Sequence, residues 1–241
     1  LAIKSSQKQT ATGKYLALAC ACAALVDISY LISILTDSHL CMSVMSSVYF
    51  VTIDFMLLGL LAFTLHFIKG RFSKTTRRLM ILGNVYALFE LVVFALNPFL
   101  GIAVDYIPRN TEIARYAYQM KPLYISHLVF SYVLVGTVIF LLVWKLCQVP
   151  REYRNQYLFV IAGILAIVAV NAVFLFCHSD AIWDLLDYSI CGYSLTSYLL
   201  YWSCFNYSSR GMLNTLKTSI FENVGQGVIL FDCDNHLILH N

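Results

Sequence analysis

Charged side chains lie inside the long apolar stretches of this 241-residue chain, and they are the residues whose chemistry most needs an explanation. Asp27, Asp54, Glu90 and Asp187 fall within such stretches, and Asp184 lies near the start of the last one. On insertion scales a charged group at mid-bilayer depth costs roughly 2.5–3.5 kcal/mol. We therefore expect these carboxyl groups to face the interior of a helix bundle, to be protonated or to lie near the outer interface.

Polar residues also concentrate in one half of each apolar stretch. These are the halves that lie on the outer side of the membrane in the topology predicted below from the basic residues. Tyr124, His127 and Ser131 are spaced three and four residues apart, which puts them on one face of a helix. The inner halves, such as residues 133–143 and 159–168, are almost purely aliphatic. A polar cavity that opens to one side only would suit a ligand-sensing pocket. The predicted ligand-binding residues are Glu90, Asn97, Tyr124, His127, Ser131, Asn171, Asp184 and Asp187.

Other interpretations of the same residues stay open. Polar side chains also join membrane helices by hydrogen bonds without binding any ligand. A small-molecule transporter or channel-like protein is the alternative function, although the aliphatic inner halves and the lack of an internal repeat disfavour it. An intramembrane enzyme could use Asp54, Glu90 and the histidines if two such groups were in mutual reach. We predict no catalytic residue, metal site or cofactor, since no phosphate loop, nucleophile elbow or metal-binding spacing is visible.

The composition indicates which elements must position these residues. Hydrophobic residues make up 60% of the chain and charged residues only 12%, against about 25% charged in soluble domains. A helix needs about 20 apolar residues to cross the bilayer. The fold class predicted is therefore an all-α polytopic membrane bundle, with the lipid bilayer as its partner. Its six spans are 14–36, 42–68, 79–100, 123–146, 153–177 and 182–207.

The basic residues predict the orientation of this bundle. If the first span runs outward, only Arg109, Arg115 and Lys121 of the 16 Lys and Arg residues lie outside. By the positive-inside rule, both ends of the chain are then cytoplasmic and the protein lies in the cell membrane. The basic residues sit in short loops and form no stripe, so we expect no nucleic-acid partner.

The polar C-terminal region predicts a linker followed by a hairpin. Leu213, Leu216 and Ile220 have helical spacing that suits a parallel helix pair, which would make the protein a homodimer. Two short strands then flank an Asp/Asn turn at 233–235. An isolated hairpin is marginally stable, so we expect it to begin a larger domain. The predicted domains are a cytoplasmic segment 1–13, the membrane bundle 14–207, a signalling linker 208–224 and the start of a further domain at 225–241.

Two stretches of the sequence resemble known families. Residues 220–241, with a short helix, a strand ending in Asp232, a turn and a strand ending in Asn241, resemble the opening of a PAS domain. The membrane part resembles the N-terminal seven-helix sensor region of bacterial histidine kinases and related diguanylate cyclases. That likeness rests on the segment 121–132, the sequence 151–156 that begins the next helix, and the aspartates near the start of the last span: Pro122, Tyr124, His127, Ser131, Tyr132, Asp184 and Asp187.

The resemblance implies a function, and the sequence departs from the family pattern in one respect. Such a module would sense an unknown small-molecule or envelope ligand and pass the signal through the linker to a cytoplasmic PAS and output module. That output would be a histidine kinase or a diguanylate cyclase, so any enzyme activity would lie outside these residues. The family has seven helices and six are visible here. We therefore expect the first helix to precede Leu1, as it would if the chain were a piece of a longer protein.

Overall fold

The structure is a computed structural model that describes residues 11–69, 74–108, 115–149, 151–176, 189–202, 229–231 and 237–240. The chain divides into two compact units, Leu1–Tyr201 and Trp202–Asn241. Six helices are described: α1 Ala11–Leu35, α2 His39–Lys69, α3 Lys74–Leu100, α4 Pro122–Gln148, α5 Arg151–Phe176 and α6 Ser189–Trp202.

Four of these helices are long and apolar enough to cross a membrane, over Thr12–Leu35, His39–Ile68, Lys74–Leu100 and Pro122–Gln148. This result confirms the prediction of a multi-pass helical membrane protein. The fifth predicted span coincides with α5, in which the apolar segment Tyr157–Val173 is shorter. The sixth predicted span, 182–207, lies only partly within the described residues, where α6 represents it.

Helix α2 lies at the centre of the bundle and contacts α1, α3 and α4. In its most apolar window 78% of the residues are buried, against 33%, 28% and 22% in α1, α3 and α4. Close packing needs a small residue, and Gly59 provides one, because a Cβ there would lie 3.4 Å from the backbone nitrogen of Ala19. Helices α1, α3 and α4 therefore turn more of their surface outward than α2 does.

That outer surface is apolar. Large hydrophobic side chains are exposed along the full length of α3, and many more are exposed on α1 and α4. A soluble monomer rarely exposes a continuous apolar surface of this extent, whereas lipid requires one. Examples from the three helices are Leu25, Ile28, Leu82, Val85, Phe89, Val92, Val129, Val133 and Phe140.

A β-hairpin that the sequence analysis did not predict connects α3 to α4. Strands β1 (Val104–Pro108) and β2 (Tyr116–Met120) pair antiparallel, with Val104 opposite Met120. The left-handed backbone of Gly101 (φ 55°) ends α3, and its N–H donates to the Asn97 carbonyl oxygen at 2.8 Å. Lys121, just after β2, pairs with Asp105 at 2.7 Å. The hairpin is fastened to the ends of both helices that it joins, and we call this side of the bundle the hairpin end.

The second unit contains a second hairpin. Strands β3 (Ile229–Phe231) and β4 (Leu237–His240) pair antiparallel, with Ile229 opposite His240. This pairing confirms the predicted C-terminal hairpin. The predicted linker 208–224 and the predicted turn 233–235 lie outside the described residues, and the PAS assignment stays a prediction.

Candidate functional site

Three buried ionisable side chains from three different helices meet inside the bundle. His127 Nδ1 forms a hydrogen bond of 2.7 Å with Glu90 Oε2 and lies 3.3 Å from Asp54 Oδ1. The side chains of Asp54, Glu90 and His127 are 0%, 2% and 3% exposed. We call this group the triad.

Helix periodicity explains how the triad is brought together. On α3 the buried residues Ala87, Glu90, Phe94 and Asn97 are spaced three and four apart, so that Glu90 faces inward with its apolar neighbours. Asp54 lies at the midpoint of α2, which packs against both α3 and α4. His127 follows on the second turn of α4, after Pro122 has begun that helix.

Aromatic rings hold the imidazole of His127 in place. The rings of Phe50, Phe94 and Tyr124 have centroids 5.6, 5.3 and 5.8 Å from that of His127. Phe50 and Phe94 meet it edge to face, a preferred aromatic geometry. The imidazole therefore has an apolar surround on one side and two carboxyl groups on the other.

The carboxyl groups of the triad are only partly satisfied. Ser131 donates its hydroxyl hydrogen to Asp54 Oδ1 at 3.3 Å. Asp54 Oδ2 and Glu90 Oε1 are buried and have no hydrogen-bond partner among the described residues. Buried polar atoms usually find a partner, so two such oxygens side by side indicate a site with unused binding capacity.

A cavity of about 160 Å³ lies beside the triad within the first unit. Its lining comes from α1, α2, α4, α5, α6 and β2. Apolar side chains such as Ile53, Leu57 and Ile164 form much of the wall. The lining also includes eleven residues with a hydroxyl, amide or imidazole group: Tyr30, Tyr49, Tyr118, Tyr124, His127, Ser131, Tyr132, Asn171, Tyr193, Thr196 and Ser197. Apolar walls with a few convergent polar groups are typical of small-molecule sites.

The cavity meets the triad at His127, a member of the triad, and at Ser131, which contacts it. His127 and Ser131 line the cavity, and both also contact the carboxyl group of Asp54. Glu90 contacts His127 from the α3 side and is not among the lining residues. A molecule in the cavity would therefore meet the triad through the His127 imidazole and the Ser131 hydroxyl.

The structure brings together four of the eight predicted binding residues, Tyr124, His127, Ser131 and Asn171, as walls of one cavity. Asn171 accepts a hydrogen bond from the Tyr132 hydroxyl at 2.8 Å. Glu90, a fifth predicted residue, is in contact with His127 through the triad. Asp184 and Asp187 lie outside the described residues, so their predicted role stays a prediction.

Asn97 occupies a different place, at the base of the β1–β2 hairpin. Its Oδ1 accepts the backbone N–H groups of Ala103 and Val104 at 2.8 and 3.0 Å, and its Nδ2 donates to the Val104 carbonyl oxygen at 3.1 Å. Three backbone bonds occupy this buried amide. The geometry therefore gives Asn97 a part in shaping the hairpin end, and its predicted contact with a ligand stays a prediction.

Sequence reasoning missed several residues of this region. Asp54 was noted as an intramembrane acid but was not placed among the binding candidates, since nothing in one sequence pairs it with residues 36 and 73 positions away. Sequence reasoning marks Tyr30 and Tyr49 only as polar residues of the first two spans and does not single out Tyr118, because tyrosine is common at membrane interfaces and gives no specific signal. Alternation in β1 could have revealed the hairpin, since Val104 and Tyr106 are buried and Asp105 between them is more exposed.

The triad also bears on two other expectations. An intramembrane enzyme would need two ionisable groups within reach of each other. His127 contacts both Asp54 and Glu90, so this condition is met. The expectation of no metal site rested on the lack of a local motif, and these three donors come from three helices. Such an arrangement can hold a proton, a cation or a hydrogen-bonding ligand group, since it offers imidazole and carboxyl groups within contact of a cavity.

Comparison with known proteins adds one finding. Residues 1–210 match the model of a protein family described as the N-terminal 7TM region of histidine kinase. The match covers most of the 241 residues and includes all six helices. Comparison with curated proteins found no match, and comparison with solved structures found none either.

Proposed function

Because the chain belongs to the family of N-terminal seven-transmembrane regions of histidine kinases, we propose that it is the sensor module of a signalling receptor. It detects an extracellular or envelope signal in the cavity beside the triad. The signal then passes through the linker 208–224 to a cytoplasmic PAS and output module. The family description favours a histidine kinase as that output, and a diguanylate cyclase is the other output that the resemblance allows.

The observation that carries the proposal is the cavity itself. Five helices and one strand contribute to its wall, so a bound molecule would contact most of the elements of the first unit. Its volume of about 160 Å³ suits a small ligand. Hydroxyl and imidazole groups on an apolar wall would fix the orientation of such a ligand.

The basic residues support an outward-facing cavity. The predicted topology places the hairpin end outside, with Arg115 and Lys121 beside it, and the loops rich in Lys and Arg in the cytoplasm. Tyr118 and Met120 of β2 line the cavity at this end. In this orientation the protein spans the plasma membrane with a cytoplasmic C-terminus.

Signal transfer would depend on hydrogen bonds between the helices that surround the cavity. The hydrogen bond between Tyr132 and Asn171 joins α4 to α5 in the cavity wall, and Thr196 donates to the Gly163 carbonyl oxygen between α6 and α5 at 3.4 Å. A ligand that favours one arrangement of these helices shifts the population of that arrangement. Since α6 precedes the linker in sequence, such a shift would reach the output of a homodimer.

A pair of tryptophan variants on α4 tests this proposal in the full-length protein in proteoliposomes. Leu128 lines the cavity, whereas its neighbour Val129 is 58% exposed on the lipid-facing side. Leu128→Trp fills the cavity, and we expect it to change the basal rate of autophosphorylation or cyclic-dinucleotide synthesis about threefold or more. Val129→Trp should leave that rate within about twofold of wild type, since it adds bulk only toward lipid.

Two results would contradict the proposal. One is an unchanged output rate in the well-folded Leu128→Trp variant. The other is ion or solute flux through proteoliposomes of the purified chain, which would support the transporter alternative. A separate experiment tests the orientation, in which a cysteine replacing Ser131 in a cysteine-free background should react with a membrane-impermeant thiol reagent added outside intact cells.

A further inference from the structure

The donor atoms of the triad lie almost as close together as the ligands of one metal ion. Donor atoms 2.0–2.2 Å from a tetrahedral ion are about 3.4 Å apart. His127 Nδ1 and Asp54 Oδ1 are 3.3 Å apart, and His127 Nδ1 and Glu90 Oε2 are 2.7 Å apart. One ligand atom from each of the three residues lies within 4.8 Å of the others. Changes of up to about 1.5 Å in these separations would bring all three donors to coordinating distance.

The charges of the triad favour a cation. If both carboxyl groups are ionised, the triad carries a formal charge of −2 with a neutral imidazole and −1 with a protonated one. Within the described residues, His127 is the only cationic side chain in ion-pair contact with either carboxyl group. Uncompensated charge inside a membrane protein is costly. One divalent ion would bring the sum to zero.

Two oxygens of the triad point to a ligand independently of this charge. Asp54 Oδ2 and Glu90 Oε1 belong to side chains that are at least 98% buried, and neither has a hydrogen-bond partner among the described residues. A carboxylate that binds a metal through one oxygen or both would use this capacity. Two unpaired carboxyl oxygens on side chains that contact the same imidazole leave binding capacity at one point of the bundle.

The cavity provides a route and an open coordination position. His127 and Ser131 form part of its wall, and Ser131 Oγ is 3.3 Å from Asp54 Oδ1. An ion could therefore reach the triad from the cavity and keep one position for the Ser131 hydroxyl, water or a ligand. The rings of Phe50 and Phe94 exclude water from the other side of His127.

We infer that Asp54, Glu90 and His127 form a binding site for one divalent transition-metal ion at the side of the cavity. One imidazole nitrogen with two carboxylates suits Zn²⁺, Mn²⁺, Fe²⁺ or Co²⁺, whereas Mg²⁺ and Ca²⁺ prefer oxygen donors alone and Cu⁺ prefers sulfur. The site does not depend on the proposed sensing function, because a resident ion could bind whether or not the cavity receives a signal.

The first test measures metal content in the full chain in lipid nanodiscs. The protein is stripped with a chelator, loaded with Zn²⁺ or Co²⁺, desalted and analysed by inductively coupled plasma mass spectrometry. We expect about one ion per chain, and an affinity roughly tenfold or more weaker in Glu90→Gln and in His127→Gln. Asp27→Asn, which neutralises a membrane carboxyl group on α1 outside the triad, is the matched control and should bind like wild type. Wild-type protein that retains none of Zn²⁺, Co²⁺, Mn²⁺ or Fe²⁺ would overturn the inference.

A second test does not depend on loss of binding, so it remains informative if the Gln variants fold poorly. In His127→Cys the new thiolate would replace the imidazole as a ligand, and Co²⁺ should then give a thiolate-to-cobalt charge-transfer band. Wild-type protein loaded with Co²⁺ should show ligand-field bands without that charge-transfer band. Bound Co²⁺ without a charge-transfer band in folded His127→Cys would place the metal elsewhere and contradict the site. Both results are independent of the output assay, so a failed sensor proposal and a failed metal site can be told apart.

Discussion

Tyr132 and Asn171 join α4 to α5 through a hydrogen bond of 2.8 Å from the tyrosine hydroxyl to the amide oxygen, in the wall of the cavity. Tyr132 lies on the same helix as His127 of the triad, five residues further along, and Asn171 lies on α5. The bond adds a polar link to the packing contacts between α4 and α5.

The first prediction concerns this bond. Tyr132→Phe and Asn171→Ala should each lower the free energy of unfolding, and the double variant should lose less than the two together. The coupling energy should be about 0.6–1.7 kcal/mol, from the average to the maximum found for hydrogen bonds between membrane helices. Denaturant unfolding of the detergent-solubilised protein would measure it. Strict additivity would show that the two side chains do not interact.

The base of the β1–β2 hairpin gives the second prediction. Asn97→Ala removes three hydrogen bonds and leaves the backbone N–H groups of Ala103 and Val104 without their acceptor. We expect a loss of about 2–4 kcal/mol in the free energy of unfolding. Asn84→Ala on the same helix is the control, because the Asn84 side chain is exposed and its one hydrogen bond among the described residues goes to the Met80 carbonyl oxygen at 2.7 Å. Equal losses in the two variants would contradict the assigned role of Asn97.

The third prediction concerns compensation of charge within the triad. His127→Leu leaves two buried carboxyl groups without their only cationic neighbour among the described residues, and it should destabilise the protein by about 3–5 kcal/mol. Adding Glu90→Gln removes one of those charges and should restore part of the loss. Thermal unfolding in nanodiscs would compare the single and double variants. A double variant less stable than His127→Leu alone would argue against charge compensation.

A pH effect at the hairpin gives the fourth prediction. Burial, with the nearby Tyr118, raises the pKa of the Tyr106 phenol above its ordinary value of about 10. Above that pH the unfolded chain loses a proton that the folded hairpin retains. The free energy of unfolding should therefore be unaffected by Tyr106 below pH 10 and fall above it by up to about 1.4 kcal/mol per pH unit.

The effect of Tyr106 is measured as the difference in the free energy of unfolding between wild type and Tyr106→Phe. Unfolding of wild type and of Tyr106→Phe is followed between about pH 9 and pH 11, so that the lysines and other tyrosines cancel. Wild type should lose stability relative to Tyr106→Phe only in the upper half of this range. Parallel curves over the whole range would show that the phenol titrates normally.

The fifth prediction compares two glycines. A Cβ at Gly192 on α6 would lie 2.7 Å from Ile167 Cγ1 on α5, whereas nothing lies within 4 Å of a Cβ at Gly136 on α4. Gly192→Ala should cost about 1–3 kcal/mol because Ile167, a residue of the cavity wall, must move. Gly136→Ala should be neutral or stabilising by up to about 1 kcal/mol. Unfolding measurements that rank the two variants in the opposite order would contradict the packing of α5 against α6.

The helices could be predicted from sequence because lipid demands long apolar runs, and that signal is contained within each segment. The predicted start of the third span at Leu79 differs from the observed start at Lys74 because α3 continues into polar residues that hydropathy leaves out. The β1–β2 hairpin could not be found this way. Its strands have five residues each, so the alternation in β1 is a brief signal that hydropathy does not detect, and Asn97 stabilises the strands from a helix.

The cavity could be predicted only in part. Tyr124, His127 and Ser131 share one helix face, so their grouping follows from local spacing. Asp54 joins them only because α2 runs through the centre of the bundle, which is a property of packing and not of any segment. For the same reason the contact between His127 and Glu90, 37 residues apart, could not be derived from spacing.

The central position of α2 has a consequence for biosynthesis. This helix carries Asp54 at its midpoint. If the helix inserts into the bilayer as an isolated span, the charged side chain of this one residue adds roughly 2.5–3.5 kcal/mol to the free energy of insertion. Only residues 36–38 separate α2 from the strongly apolar α1, and Gly59 packs against Ala19 of that neighbour. We expect the translocon to release α1 and α2 as a pair. The carboxyl group of Asp54 then stays without His127 until α4 has been synthesised, which makes the arrival of α4 the step that commits the nascent chain to its folded form.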